Sequence, residues 1–294
     1  MATAFVLAGG ASLGAIEAGM LEALYERNIQ ADVFVGTSAG AMNAGFAAAN
    51  PQTVGAARAL QDAWRSTSRR DVFPFSPLTA LRALLRRSDH LISNAGLKRM
   101  VEQRLSGLER LEDSQTKLAV VVTDLLEGEE RLLDAGPAVP ALLASAAIPG
   151  IYPPVEIGGR PYVDGGVADN TPISKALDLG AHTIYVLPTG VTMRLERAPT
   201  SAFELAIHAF NLLLHARLRH EIEAFRDQAK LVVLPPPWPL TVLPSDFSRA
   251  DELIHSGLEN ARGALADSHP AGAPTDRAIA RLQDPAGVAD RNPD

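Results

Sequence analysis

Residues 33–45 read VFVGTSAGAMNAG: an apolar, strand-favouring run, a Gly36-Thr37-Ser38-Ala39-Gly40 turn, then small residues of helical character. A single serine stands between two glycines where the chain passes from strand to helix. The pentapeptide matches G-x-S-x-G, in which the serine occupies a sharp, strained bend and the glycines let neighbouring backbone approach closely. Its hydroxyl is either a helix cap or a nucleophile, and the surrounding sequence has to decide.

Upstream, TAFVLA (3–8) is a short apolar run stopped by Gly9-Gly10 and predicts a buried strand. SLGAIEAGMLEALYERN (12–28) places Ile16, Met20 and Leu24 four apart, the spacing of one helical face, and ADVFVG (31–36) is a second strand. Strand, helix, strand, helix within fifty residues predicts an α/β fold with a mostly parallel central sheet flanked by helices.

Downstream, residues 53–105 read as helices interrupted by DVFPFSP (71–77). KLAVVVTDL (117–125) returns to strand, with GEERLLDAG (128–136) as its hairpin partner, and VPALLASAAIPG (139–150) is a helix stopped by Pro149-Gly150. VEIGGRPYVDGG (155–166) predicts two strands around Gly158-Gly159. In NTPISKALDLG (170–180) Thr171 is placed as N-cap, Pro172 as first helical residue and Gly180 as terminator. HTIYVLP (182–188) and KLVVLPP (230–236) are late strands, and 201–226 and 246–265 late helices. One domain over 1–266 is expected, followed by a poorly ordered tail over 267–294 that is dense in Pro, Gly, Ala and Asp.

The 294 residues are 47% hydrophobic and 21% charged, the composition of a globular chain able to bury a sizeable core. Lys and Arg number 27 against 34 Asp and Glu, so a formal charge of −7 offers nucleic acid no general attraction. Cysteine is absent, which excludes disulfides, thiolate metal ligands and a cysteine nucleophile. MATAFVLAGG carries no basic n-region and no run reaches about 18 apolar residues, so neither a signal peptide nor a spanning helix is expected. A cytoplasmic location, with peripheral membrane contact at most, follows as the expectation.

A nucleophilic serine needs a base. Ser-His-Asp hydrolases of the common α/β type place the serine after several strands, yet only two precede Ser38. His208, His215 and His220 share one predicted helix, His182 starts a strand, and His255 and His269 lie in or beyond the last helix. HEIEA (220–224) lacks the second histidine of H-E-x-x-H. The Gly9–Gly14 spacing is followed by Ala15-Ile16 where a phosphate-binding loop needs Lys-Ser/Thr, and adjacent Gly9 and Gly10 break the dinucleotide pattern. What remains there is a turn whose backbone N–H groups can stabilise an anion at a helix start. A third feature is Asp164, which ends an apolar strand in YVDGGVADNTP (162–172); by itself D-G reads first as a hairpin or loop turn.

GGASLG (9–14), GTSAGA (36–41), SAAIPGIYPP (145–154) and DGGVADNTP (164–172) stand in the order and spacing of the patatin-like phospholipase family, which the chain resembles over about residues 4–190. VVTDLLEGEERLL (121–133) is similar to its bacterial members. The resemblance implies a patatin-like three-layer α/β/α fold and a serine acyl hydrolase with a Ser-Asp dyad and no cofactor or metal. Ser38 would be the nucleophile and Asp164 the general base, with the backbone amides of Gly9, Gly10 and Ala11 forming the oxyanion hole. The substrate would be a carboxylic ester of a phospholipid, lysophospholipid or acylglycerol. The family's loop is commonly G-G-G-x-R/K-G, whereas here Ala11 replaces the third glycine and Leu13 the basic residue, which favours neutral or small esters. Two other readings remain: a Ser-His-Asp esterase, and a regulatory or lipid-binding protein that keeps the fold without the activity.

VFPFSPL (72–78) and PPPWPLTVLP (235–244) suit either a cavity rim or the core. Arg82, Arg86 and Arg87 with Leu81, Leu84 and Leu85 form a basic amphipathic pattern, read either as a solvated face or as a contact with anionic lipid. Nothing in the sequence specifies an oligomeric state.

Overall fold

The computed structural model describes residues 1–74, 89–105, 107–190, 198–237 and 240–266. The basic amphipathic pattern at 81–87, residues 75–78 and the tail from 267 lie outside the described residues.

Eight strands form one sheet: β1 (Ala2–Leu7), β2 (Val33–Thr37), β3 (Lys117–Asp124), β4 (Glu130–Leu133), β5 (Val155–Ile157), β6 (Arg160–Asp164), β7 (Ala181–Leu187) and β8 (Lys230–Val233). β8, β7, β1, β2 and β3 are mutually parallel, and β4, β5 and β6 join antiparallel at the β3 side. The mostly parallel sheet expected from the alternating pattern is therefore present.

Alternation along β1 assigns the two faces. Phe5 and Leu7 enter one cluster with Leu13, Ile16 and Leu24, whereas Ala4 and Val6 enter a second with Ile173, Leu218 and Ile222. Both faces are covered, which is why the central strands read as continuous apolar runs. Each fully buried Phe or Leu contributes about 1.5–3 kcal/mol to this arrangement. The first cluster is covered by α1 (Ala15–Glu26), α2 (Ala39–Ala49), α3 (Val54–Arg65) and further residues from α4 (Arg69–Val72), α5 (Ala95–Arg104) and α6 (Ala138–Ser145). The second is covered by α7 (Ile173–Asp178) and α8 (Ala202–Phe225).

The apolar stripe on α1 predicts one buried face, but nearly every residue of that helix is buried. The outer face is closed by α9 (Ala250–Ala266), against which glycines permit backbone contact. A Cβ on Gly19 would lie 2.1 Å from the Ile254 carbonyl oxygen, and one on Gly257 would lie 2.3 Å from that of Ile16.

Three boundaries differ from expectation. α6 ends at Ser145, before Pro149, because the chain turns there and the Ala147 carbonyl accepts the Asp164 N–H at 2.9 Å. α7 begins at Ile173, one residue later than expected, and Thr171 is not its cap: the Thr171 hydroxyl is buried with no partner among the described residues. The last helix starts at Ala250, after a turn in which the Asp246 carboxylate accepts the Ser248 N–H.

Candidate active site

Ser38 joins β2 to α2 with φ 54° and ψ −120°, a conformation that costs a residue with a Cβ and that persists where the surroundings over-determine it. Those surroundings explain the flanking glycines. A Cβ on Gly36 would sit 2.6 Å from the Gly40 carbonyl oxygen, and one on Gly40 would sit 2.3 Å from that of Leu7. The Ser38 N–H donates to Ser145 Oγ at 2.8 Å, and that hydroxyl donates in turn to the Val121 carbonyl at 2.7 Å. Ser38 does not cap α2 with its side chain. Its hydroxyl instead donates to Asp164 Oδ2 at 2.8 Å, across 126 residues of chain.

The register of β3 shows how the two residues meet. Val121 pairs with Thr37 of β2 and with Leu132 of β4, whereas Val122 pairs with Asp164 of β6 and with Arg131 of β4. With β4 along one edge of β3, β2 and β6 share the other edge end to end. The last residue of β2 and the last of β6 thus occupy successive rungs, and Ser38 follows the first of them. Gly165 is needed at this junction, since a Cβ there would approach the Val121 carbonyl oxygen to 2.2 Å.

Asp164 is 1% exposed and Ser38 8%. Burial pushes the Asp164 carboxyl up from its ordinary value to about 7, opposed by the hydrogen bond from Ser38 and by that from the Gly166 N–H, which reaches Oδ1 at 2.8 Å. A carboxyl with a pKa near 7 can both take and return a proton at neutral pH.

The glycine turn lies beside the serine: an ideal Cβ on Gly9 would be 3.1 Å from Ser38 Cβ. The three expected amides are not equivalent. The Gly9 N–H donates to the Asn170 carbonyl at 3.3 Å, while those of Gly10 and Ala11 meet no acceptor among the described residues. Ala11 has φ 51°, in the left-handed region where glycine is at ease, so its replacement of the family's glycine is a strained one. Leu13 is fully buried in the main core cluster.

A largely apolar cavity runs from Ala11, Ser38 and Ala39. Trp64, Phe73, Tyr152 and Phe247 contribute aromatic walls, with Trp64 and Phe247 stacked and Phe73 edge-on to Phe247. Arg104 is the one cation among the described lining residues, and its Nη2 already donates to the Ala63 carbonyl at 2.6 Å. Beneath the wall, Trp64 Nε1 donates to Asn43 Oδ1 at 2.9 Å, and Asn43 Nδ2 donates to Glu17 Oε2 at 2.8 Å. Burial pushes the Glu17 carboxyl well above its ordinary range, opposed by the hydrogen bond from Asn43.

No histidine hydrogen-bonds Ser38 or Asp164 or lines the cavity among the described side chains. Of the segments read as rim or core, Phe73, Leu240 and Val242 are buried in the main cluster, with Phe73 also facing the cavity. No cluster of three or more His, Asp or Glu able to hold a metal occurs among the described residues. None of the described helices is long and apolar enough to cross a membrane.

Three residues of the site carry no role in the sequence reading. Ser145 and Asn170 lie inside the quoted motifs, but a hydroxyl that braces a distant N–H leaves no local mark. Thr189 lies outside every motif, and only the pairing of β7 with β1 brings it to Gly9.

A profile of the patatin-like phospholipase family matches residues 5–177. The chain belongs to that family. It is 30% identical over 184 residues to an uncharacterised NTE family protein of Mycobacterium bovis, covering 60% of this chain and 46% of the relative. It is 28% identical over 196 residues to the lysophospholipase NTE1 of Candida glabrata, covering 64% of this chain and 10% of the relative. The chain thus spans less than half the length of these relatives. Among solved structures, VipD from Legionella pneumophila aligns over 96% of this chain and 67% of its own, with 15% identity and a TM-score of 0.46. Human GIVD cytosolic phospholipase A2 aligns over 96% and 60%, with 14% identity and a TM-score of 0.43.

Proposed function

We propose that this chain is a serine acyl hydrolase that cleaves carboxylic esters of lipids through an acyl-enzyme, with Ser38 as nucleophile and Asp164 as general base. The observation that carries the reading is the 2.8 Å hydrogen bond from Ser38 Oγ, at the wall of an apolar cavity, to the buried carboxylate of Asp164 behind it. Ser38 Oγ attacks the ester carbonyl carbon and its proton passes to Asp164; the carbonyl electron pair moves to oxygen, facing the amides of Gly10 and Ala11. Collapse expels the alcohol, which takes the proton from Asp164. Water then attacks the acyl carbon, giving a proton to Asp164, and the Ser38 oxygen leaves and recovers that proton as the acid departs. The positive end of α2 faces the developing charge.

The apolar cavity suits an acyl chain, and fungal relatives named lysophospholipases point to the same substrate class. With Leu13 buried and Arg104 the one cation among the described lining residues, already bonded to the Ala63 carbonyl, neutral esters such as acylglycerols or small esters suit the site better than charged headgroups.

Turnover of p-nitrophenyl esters of increasing acyl length, alongside a lysophospholipid and a phospholipid, tests the assignment. Ser38→Ala and Asp164→Asn are each expected to lower kcat by at least about 10³-fold, and Ser38→Ala to abolish fluorophosphonate labelling. A wild-type protein as inert to the probe as Ser38→Ala would instead indicate a lipid binder. Loss of turnover on changing one histidine, with Asp164→Asn active, would indicate a triad.

A further inference from the structure

We infer that Thr189 and Asn170 are positioning residues that aim the Gly10 N–H at the oxyanion, an inference that rests on the acyl-hydrolase reading above. The Gly9 carbonyl accepts two hydrogen bonds, from Thr189 Oγ1 at 2.8 Å and from Asn170 Nδ2 at 3.3 Å. The Gly9 N–H is held as well, by the Asn170 main-chain carbonyl at 3.3 Å. Asn170 therefore grips Gly9 at both ends, through its backbone and its side chain.

The Gly9 carbonyl and the Gly10 N–H belong to one planar trans peptide, in which C=O and N–H point in opposite directions. Fixing the carbonyl against Thr189 and Asn170 fixes the N–H on the other side of the plane. That N–H meets no acceptor among the described residues although Gly10 is buried, a condition that is costly unless a ligand supplies the acceptor. An ester oxygen that becomes an oxyanion as Ser38 Oγ adds to its carbonyl carbon is such an acceptor. An unrestrained Gly-Gly peptide would rotate at little cost, because glycine lacks the Cβ that restricts its neighbours. The clamp removes that freedom, and the preorganised donor reorganises little when charge develops.

Packing adds a second restraint. A Cβ on Gly10 would sit 2.4 Å from Thr189 Oγ1 and 2.7 Å from Thr189 Cβ, so the threonine lies directly against the Gly10 backbone. The Asn170 side chain packs against the Gly9 backbone: its Oδ1, buried without a partner among the described residues, lies 2.3 Å from where a Gly9 Cβ would be. A side chain at position 9 or 10 would therefore have to displace Asn170 or Thr189.

The test compares wild type, Thr189→Val and Thr189→Ser of the full chain on a p-nitrophenyl ester, with thermal melting in parallel. A trifluoromethyl ketone, which Ser38 converts to a tetrahedral oxyanion, reports on the hole directly. Removing a whole oxyanion donor costs about 10²–10³ in kcat, so a donor left in place but free to turn is expected to cost about tenfold. Thr189→Val should show that loss in kcat with KM within about twofold, and weaken the ketone by a similar factor, as expected when only transition-state binding is lost. Thr189→Ser, which keeps the hydroxyl, should restore both. An active wild type with a Thr189→Val variant of unchanged kcat and ketone affinity overturns the inference, as does a loss that Thr189→Ser fails to restore or one that falls on KM alone. A wild type inert toward every ester removes the acyl-hydrolase reading itself, and this inference with it.

Discussion

At the scale of single residues, the site depends on taking one carboxyl out of water. Asp164 would be an unremarkable turn aspartate if exposed. Enclosed at the end of β6, with one hydrogen bond from Ser38 and one from the Gly166 N–H, its carboxyl is pushed up to about 7. The base form is the ionised one, so kcat/KM is expected to rise as pH increases through about 7 and to level off above it, the acid limb reporting Asp164 in the free enzyme. A profile flat from pH 5 to 9 on a substrate stable over that range would show that this carboxyl does not carry the proton. Ala11 makes the opposite point. Its φ of 51° shows that the turn tolerates a strained alanine where it would accept a glycine more easily, and the backbone donor survives the exchange.

At the scale of elements, strand ends bring Ser38 and Asp164, the proposed dyad, together, and a helix end braces the serine. β2 and β6 abut along one edge of β3, and the end of α6 supplies Ser145, whose hydroxyl bridges the Ser38 N–H and the Val121 carbonyl. Ser145→Ala would leave the buried Ser38 N–H without an acceptor, which is expected to destabilise the fold by about 1–3 kcal/mol. It should also let the bend relax, with kcat falling while fluorophosphonate still reacts, more slowly. Equilibrium denaturation and labelling rates measure the two effects separately, and a variant that matches wild type in both would remove Ser145 from the site. The elements themselves were largely readable: short continuous apolar runs and Gly-bounded helices place β1, β2, α1 and α2 close to where they lie. The end of α6 was not, because Pro149 suggests a later stop than the one imposed by the contact between Ala147 and Asp164. Nor was the start of α7, where Pro172 sits at the boundary and Thr171 turns inward.

At the scale of the whole molecule, the cavity is assembled from distant parts of the chain. Trp64 comes from α3, Phe73 from the residue after α4, Tyr152 from the loop before β5, and Phe247 from the turn before α9. Trp64 is fixed by the Asn43–Glu17 hydrogen bonds behind it, which sets one wall of the cavity. Trp64→Phe removes the indole N–H and part of that wall, and is expected to shift the preferred p-nitrophenyl ester toward longer chains by about two carbons. Each additional buried methylene is worth about 0.8 kcal/mol, which is enough to move the maximum in a chain-length series. An unaltered chain-length optimum would place the acyl group elsewhere.

The sequence by itself determined the α/β class and the glycine-flanked turn at Ser38, because hydrophobic pattern and glycine placement are local and survive in one dimension; it pointed to Asp164 only through the resemblance of its motifs to a family. It did not determine that the Gly9 N–H is occupied while those of Gly10 and Ala11 meet no acceptor, or that Ser145, Asn170 and Thr189 brace the bend and the turn. Those facts arise from hydrogen bonds between residues far apart in sequence, set by strand register and by which strand ends meet. A donor's availability depends on every neighbour that could satisfy it, and only the folded chain brings those neighbours together.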